Sequence, residues 1–310
     1  MVYTVTLNTA LDRVLLVGSF RMGRRMVAER CVTSMGGKGC NVSMLLKRMG
    51  CPSEARGFAA GIPGLQVRMM LEQLGIAHGF TECLGETRVN TVVVDRELGK
   101  QSTIIAETMS VTPDLVDGFL AQVAEAAGPD QTWCLGGSVP QGAASDTQAR
   151  LVSVLKAAGS RVILDTSGEA MRLALKERPL VAKPNLPEME EVLGRSLPSL
   201  DHAREAAEEL LADGPEWVVA SLGDRGLLAV TDGKCLFFPP LPIEVVSTAG
   251  AGDAVVAGMT LALERGIPFE EGLRLGAACA ASAVAHPGTD QLDPEQVEKL
   301  FRLQEVRELE

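Results

Sequence analysis

Short apolar runs rich in β-branched residues recur along the chain at Tyr3–Leu7, Thr132–Leu135, Arg161–Leu164, Leu180–Ala182 and Trp217–Ser221. Helical patterns separate most of them, and this alternation predicts an α/β fold with a mostly parallel sheet covered by helices on both faces. A helix starting near Asn41 brings Val42, Leu45, Leu46 and Met49 onto one face and stops at Gly50. Another, starting near Asp253, groups Val255, Val256, Met259 and Leu263 and ends at Gly266.

Two regions break the alternation. Val14–Val17, Met26–Thr33, Val89–Asp95 and Ser102–Ala106 read as strands with no helix between partners, and Arg96–Lys100 reads as the turn of a hairpin. These runs predict a small β-sheet projecting from the main body, assembled from about residues 13–33 and 88–107. Beside a cleft such a sheet serves as a lid, and its open face or edge offers a surface to a second copy of the chain. No repeat, low-complexity tract or linker divides the sequence, so residues 1–310 are expected to form one α/β domain with a lid.

Charge narrows the partners. With 29 Lys and Arg against 40 Asp and Glu, the net charge is -11, and no basic run offers the footprint that nucleic acid needs. A small anion remains compatible, because a few converging donors inside a cleft suffice to hold it. The seven cysteines (31, 40, 51, 83, 134, 235 and 279) form no C-x-x-C pair, and several fall in apolar stretches, as reduced thiols of a cytoplasmic protein do. The first dozen residues are too polar for a signal peptide and no apolar run reaches membrane length, so no membrane association is expected. His78, His202 and His286 lack metal-ligand spacing, which leaves aspartate as the available base.

The strongest chemical signal is Ser247-Thr-Ala-Gly-Ala-Gly-Asp253, between a strand-like run at Ile243–Val246 and a helix. Small residues there let the N–H groups of 250–253 turn toward one point at a helix N-terminus, forming an anion hole. Asp253 is then either a helix cap or a base placed at that hole. The spacing fits neither a dinucleotide fingerprint nor a P-loop.

Met35-Gly-Gly-Lys-Gly-Cys-Asn-Val42 repeats the pattern of glycines before a helix, with Lys38 either a phosphate ligand or a solvated turn residue. Asp12 follows the first strand, where it holds sugar hydroxyls or merely caps a loop. Arg88, in Thr-Arg-Val-Asn, either reaches a phosphate or is an ordinary surface arginine. Lys183-Pro-Asn-Leu-Pro-Glu188 offers Glu188 to a hydrated Mg²⁺ or forms a plain strand-to-helix loop. Ser221-Leu-Gly-Asp-Arg-Gly226 is a turn over which a nucleotide can lie, and is unexceptional as a turn.

Taken together, T-V-T-L-N-x-x-x-D, G-G-K-G-x-N-V, T-R-x-N, G-S-V-P, K-P-N-x-x-E, S-L-G-x-x-G and S-T-x-G-A-G-D occur in the order found in the PfkB carbohydrate kinases. The chain resembles that ribokinase-like family over nearly its whole length, most closely the 1-phosphofructokinase and tagatose-6-phosphate kinase branch.

The resemblance implies a ribokinase-like fold using ATP and Mg²⁺. It makes Asp253 the general base, with the amides of Gly250, Ala251 and Gly252 stabilising the transferring phosphoryl group. Asp12, Gly37, Asn41 and Asn90 would bind the sugar, and Lys38, Arg88 and Ser138 its existing phosphate. Lys183, Asn185, Ser221, Gly223, Gly226, Thr248 and Ala249 would lie along ATP, with Glu188 holding the metal through water.

The expected reaction converts D-fructose 1-phosphate to fructose 1,6-bisphosphate, with tagatose 6-phosphate or fructose 6-phosphate as alternative acceptors. A buried Lys38 argues for a phosphorylated acceptor, because a neutral sugar would leave its ammonium without a partner. Arg24 and Arg25 stand where they can shift that preference. An unphosphorylated-sugar or nucleoside kinase and a non-catalytic sugar-phosphate sensor are the other readings. Thr9 and Ala254 depart from the family pattern, which commonly has Pro and Ser or Thr there.

Overall fold

The computed structural model describes residues 1–286, 288–289 and 291–309. The first half contains β1 (Val2–Thr6), β2 (Ala10–Val17), β3 (Arg30–Gly36), α1 (Lys38–Arg48), β4 (Ser53–Ala59), α2 (Gly61–Gln73), β5 (Ala77–Glu82) and β6 (Leu84–Gly85). It continues with β7 (Arg88–Asp95), β8 (Lys100–Ile104), β9 (Met109–Ser110), α3 (Pro113–Ala126), β10 (Thr132–Gly136) and α4 (Thr147–Ala157). Next come β11 (Arg161–Asp165), α5 (Gly168–Leu175), β12 (Val181–Ala182), α6 (Leu186–Leu193), α7 (Leu200–Ala212) and β13 (Trp217–Ser221). The last elements are β14 (Leu227–Thr231), β15 (Lys234–Phe238), α8 (Ala251–Glu264), α9 (Phe269–Val284), α10 (Pro294–Leu303) and β16 (Arg307–Leu309).

The main sheet has the order β16-β15-β14-β13-β12-β11-β10-β1-β4-β5. It is parallel from β5 to β13 and antiparallel beyond. Alternate residues of each strand face opposite layers. Cys134, Ile163, Val181 and Val219 pack with α1, α8 and α9, whereas Trp133, Leu135, Val162 and Leu164 pack with α3 and α4. Every residue of α8 from Asp253 to Ala262 is buried, so this helix is hydrophobic on all sides except at its first turn. Its Gly258 lies against the backbone of Gly276 in α9, where a Cβ would come within 2.6 Å of the Gly276 Cα.

A separate four-stranded sheet, in the order β3-β2-β7-β8, covers one end of the parallel strands. β2 pairs with β7 in parallel register, so Ala10 stands opposite Arg88 and Asp12 opposite Asn90. Positions 10 and 12, and likewise 88 and 90, share a face by the two-residue repeat of a strand.

Some expected boundaries move. α1 starts at Lys38 rather than near Asn41, because Gly37, with φ +98°, ends the preceding strand and frees the turn to begin there. β3 begins at Arg30 rather than Met26. Ile243–Val246 is not a strand: Val246 donates to the Val284 carbonyl at 2.8 Å, at the end of α9, and so has no ladder partner.

Candidate active site

Two helices deliver their N-termini to the same place. α1 starts beside the end of β1, where Cys40 N–H donates to the Thr6 hydroxyl at 3.0 Å, and α8 starts at Gly250. Gly250 has φ +80° and lies so close to the Thr289 backbone that a Cβ would meet that carbonyl oxygen at 2.5 Å. A glycine is therefore required for the turn that aims α8.

The four amides expected to converge do not act alike. Ala251 N–H folds back toward the Thr248 carbonyl at 3.4 Å, whereas Gly252 and Asp253 lie in the first helical turn, where no helix residue one turn earlier accepts their N–H groups.

Asp253 is 7% exposed, and its Oδ2 accepts a hydrogen bond from Asn41 Nδ2 at 2.7 Å. The Asn41 amide oxygen in turn accepts from Thr289 Oγ1 at 3.3 Å, which fixes the amide's orientation. Burial pushes the Asp253 carboxyl up to about 7, and the negative Asp165 nearby adds to this; the Asn41 bond, Lys38 and Lys183 oppose it. A carboxylate that titrates near neutrality is matched to proton removal from a hydroxyl.

On one side of Asp253 lies a cavity of about 690 Å³. Lys38, Asp165, Lys183 and Asn185 line its polar end together with the loop 250–253, and Ser221, Gly223, Gly226 and Thr248 lie along its walls. Leu241, Ile243, Val255 and Ala280 make part of its apolar wall, so the cavity joins a flat apolar region to a charged one, as a nucleotide does. Ala249 is not on this wall; its N–H bonds to the Ser247 hydroxyl at 3.3 Å.

The charged end is organised around Asp165, the last residue of β11. Lys38 Nζ lies 2.6 Å from Asp165 Oδ1 and 3.1 Å from Glu188 Oε1, and Lys183 Nζ lies 3.2 Å from Asp165 Oδ2. Burial raises the Asp165 carboxyl, but the Lys183 and Lys38 ammoniums beside it prevail and hold it below the usual carboxylate range. Burial disfavours the Lys38 ammonium, yet Asp165 and Glu188 raise its pKa well above the ordinary lysine range.

Lys38 is half-buried and already paired with two carboxylates, so it does not need a substrate phosphate for a partner. Glu188 also closes a capping box with Asn185: the Asn185 side chain accepts from Glu188 N–H, and Glu188 Oε2 accepts from Asn185 N–H, both at 2.8 Å.

Asp12, Arg88 and Asn90, carried by β2 and β7 of the small sheet, form a second polar group with Ser138 nearby. Asn90 Nδ2 donates to Asp12 Oδ1 at 2.7 Å, and Asp12 sits on the glycine turn that starts α1, where a Cβ on Gly36 would be 2.8 Å from either carboxylate oxygen. Burial raises the Asp12 carboxyl, while the Asn90 bond and Arg88 oppose the shift. Ser138 follows β10 and accepts from Asn8 Nδ2 at 3.1 Å. Thr9, in the position where Pro is common, anchors the same turn through its hydroxyl, which donates to the Thr6 carbonyl at 3.2 Å. Ala254 is fully buried.

Asp253 thus borders a nucleotide-sized cavity and is tied through Asn41 to α1, against whose glycine turn Asp12 packs. A model of the pfkB family of carbohydrate kinases matches residues 6–296. The chain belongs to the pfkB family.

Among its pfkB relatives, the 1-phosphofructokinase of Bacillus subtilis is 33% identical over 277 residues, covering 89% of this chain and 90% of that protein. The 1-phosphofructokinase of Haloferax volcanii is 36% identical over 298 residues, covering 96% and 95%. The structure of phosphofructokinase-2 from Escherichia coli in complex with potassium superposes with a TM-score of 0.91 at 28% identity, covering 97% of this chain and 98% of that one.

Asp165, Asn8, Glu107 and Thr289 join these clusters without having been singled out from the sequence. Asp165 had one signal, an acidic residue closing the apolar run R-V-I-L-D. Asn8 stands as the Asn of T-V-T-L-N, while Thr289 and Glu107, the latter through its ion pair with Arg88 Nη1 at 3.1 Å, are brought in by tertiary contacts alone.

Proposed function

We propose that this pfkB kinase transfers the γ-phosphoryl group of ATP to D-fructose 1-phosphate, with Asp253 as the general base. The observation that carries the reading is the position of Asp253, buried at the first turn of α8 beside the nucleotide-sized cavity and bonded to Asn41, with its carboxyl titrating near neutrality. Asp253 accepts the proton of the attacking hydroxyl, and the first-turn amides of α8 face the charge that develops on the phosphoryl oxygens. Positioning does most of the remaining work, with ATP held along the cavity of Lys183, Ser221, Gly223 and Gly226 and the sugar held by Asp12, Asn41 and Asn90. The whole chain acts as one catalytic domain, and the small sheet closes on the sugar to exclude water.

The residues fit Mg²⁺ as a partner of the triphosphate. Glu188 presents a hard oxygen donor at the charged end of the cavity, where Lys38 and Lys183 already neutralise Asp165. Glu188 would hold the ion through water, with the triphosphate itself as the other source of oxygen ligands. When bound, the ion neutralises triphosphate charge.

Arg88 and Ser138 provide the site for the phosphate already on the sugar. The 1-phosphofructokinase relatives support fructose 1-phosphate as acceptor. A second reading, fructose 6-phosphate, is supported by the similarity to Escherichia coli phosphofructokinase-2, solved in complex with that sugar phosphate at a TM-score of 0.89 and 28% identity. A cytoplasmic location suits a metabolic kinase, and among the described residues no helix is long and apolar enough to cross a membrane. The open edges of the small sheet at β3 and β8 favour a homodimer formed through that sheet.

A coupled ADP-release assay across fructose 1-phosphate, fructose 6-phosphate, tagatose 6-phosphate and free fructose tests the proposal. Highest kcat/KM on fructose 1-phosphate is the expected result. Highest kcat/KM on free fructose would refute the acceptor class, and no ADP with any of the four would indicate a sensor.

A further inference from the structure

One carboxylate on the sugar side has no part in the proposed chemistry. Glu107 lies in the irregular segment between β8 and β9. Its Oε1 pairs with Arg88 Nη1 at 3.1 Å, and its Oε2 accepts from Asn8 Nδ2 at 3.2 Å. Arg88 Nη2 donates to the Asn8 carbonyl at 3.3 Å, which keeps the guanidinium beside that amide, and the Asn8 amide also reaches Ser138. One guanidinium nitrogen and one amide thus hold a single anion, with the Ser138 hydroxyl bonded to the same amide, and the protein itself supplies that anion.

Three observations mark Glu107 as a stand-in. Guanidinium forks take carboxylate and phosphate oxygens alike, so the same donors serve either anion. Glu107 leaves the cluster unsaturated: Arg88 Nε, a donor, and Asn8 Oδ1, an acceptor, are buried without a hydrogen-bond partner, and a phosphate ester with an adjacent hydroxyl brings the complementary atoms. Exposure is also unequal, since the Glu107 side chain is 50% exposed and that of Arg88 only 14%. The anion can leave into water cheaply while the cation stays.

We propose that Glu107 is a self-ligand, whose carboxylate holds the phosphate-binding donors of Arg88 and Asn8 in the substrate-free protein and is displaced by an incoming phosphate monoester. The proposal rests on reading this cleft as the sugar-phosphate site. A phosphate dianion cannot share these donors with an undisplaced carboxylate, because like charges repel at contact distance. Apparent affinity for any phosphate is then reduced by the fraction of molecules in which Glu107 is seated. A neutral sugar brings no competing anion and leaves Glu107 in place.

The test titrates inorganic phosphate into the nucleotide-free protein by calorimetry for wild type, Glu107→Gln and Glu107→Ala, and measures KM for fructose 1-phosphate in parallel. Both variants are expected to bind inorganic phosphate about 2–5-fold tighter, as loss of a half-exposed ion pair implies. KM for fructose 1-phosphate should fall by a similar factor while KM for Mg-ATP stays constant. Unchanged or weaker phosphate binding in the variants overturns the proposal, and weaker binding assigns Glu107 to holding Arg88 in place. Glu107→Gln keeps the size of the side chain and one acceptor, so it decides the matter if the alanine variant melts early. Phosphate binding is read without turnover, so a protein inactive on fructose 1-phosphate would refute the proposed function and leave this test intact.

Discussion

Asp253→Asn keeps the shape of the side chain and removes a charge from a site that is 7% exposed. The wild-type carboxyl rises from 3.8 to about 7 on folding, chiefly through burial and secondly through Asp165. Between those values the native protein keeps a proton that the unfolded chain has released, so wild-type stability falls as pH rises and levels off above about 7. At about 1.4 kcal/mol per pH unit, raising the pH from 5 to 8 costs the wild type roughly 3 kcal/mol through this one group.

The asparagine variant carries no such cost, and its amide oxygen can still accept from Asn41. Its melting temperature relative to wild type should therefore climb by about 4–8 °C between pH 5 and pH 8. Its kcat should fall at least ~10²-fold, and wild-type kcat/KM should rise with pH to a plateau above neutrality. Scanning calorimetry at both pH values and a coupled kinase assay measure these effects. Near-normal turnover in the variant would refute the role as base, and a melting difference that ignores pH would refute the raised carboxyl.

Lys183→Met leaves the buried Asp165 paired with Lys38 alone among the described residues, and should cost about 1.5–3 kcal/mol in urea unfolding; the double variant with Asp165→Asn should recover much of it. Lys38→Met removes the cation between Asp165 and Glu188, leaving two carboxylates facing a triphosphate. In steady-state kinetics KM for Mg-ATP should rise about 10-fold or more, through like-charge repulsion in a low-dielectric cavity. Gly250→Ala forces a side chain into a φ of +80° and against the Thr289 carbonyl, so it should lower kcat more than 10-fold and destabilise by about 1–3 kcal/mol, read by assay and by thermal melt.

Sequence order carried the parallel sheet, because buried strands such as R-V-I-L-D announce themselves by apolar content alone. It also carried the two glycine turns, since a helix N-terminus that approaches another backbone closely needs small residues. Pairing across the chain was less legible. Nothing near Lys38 in sequence indicates Asp165 or Glu188, which reach it over separations of 127 and 150 residues. Glu107 was equally silent, as an acid in an irregular segment. Ile243–Val246 misled for a related reason: its apolar residues pack against helices and line a cavity, and apolarity does not reveal whether a ladder partner exists.

The register that sets Asp12 opposite Asn90 also has a mechanical side. β7 carries Arg88 and Asn90 at one end and the exposed Arg96–Gly99 turn at the other, so it behaves as a stiff arm of about 25 Å with its ligands near the pivot. A tilt of about 10° at the sugar end would sweep the turn through about 4 Å over that length. A fluorophore placed at Leu98, whose side chain is already 64% exposed in that turn, would then magnify a small closure into an optical signal. The same turn is where added length would least disturb the ligands, which makes it the natural handle for building a sugar-phosphate reporter from this chain.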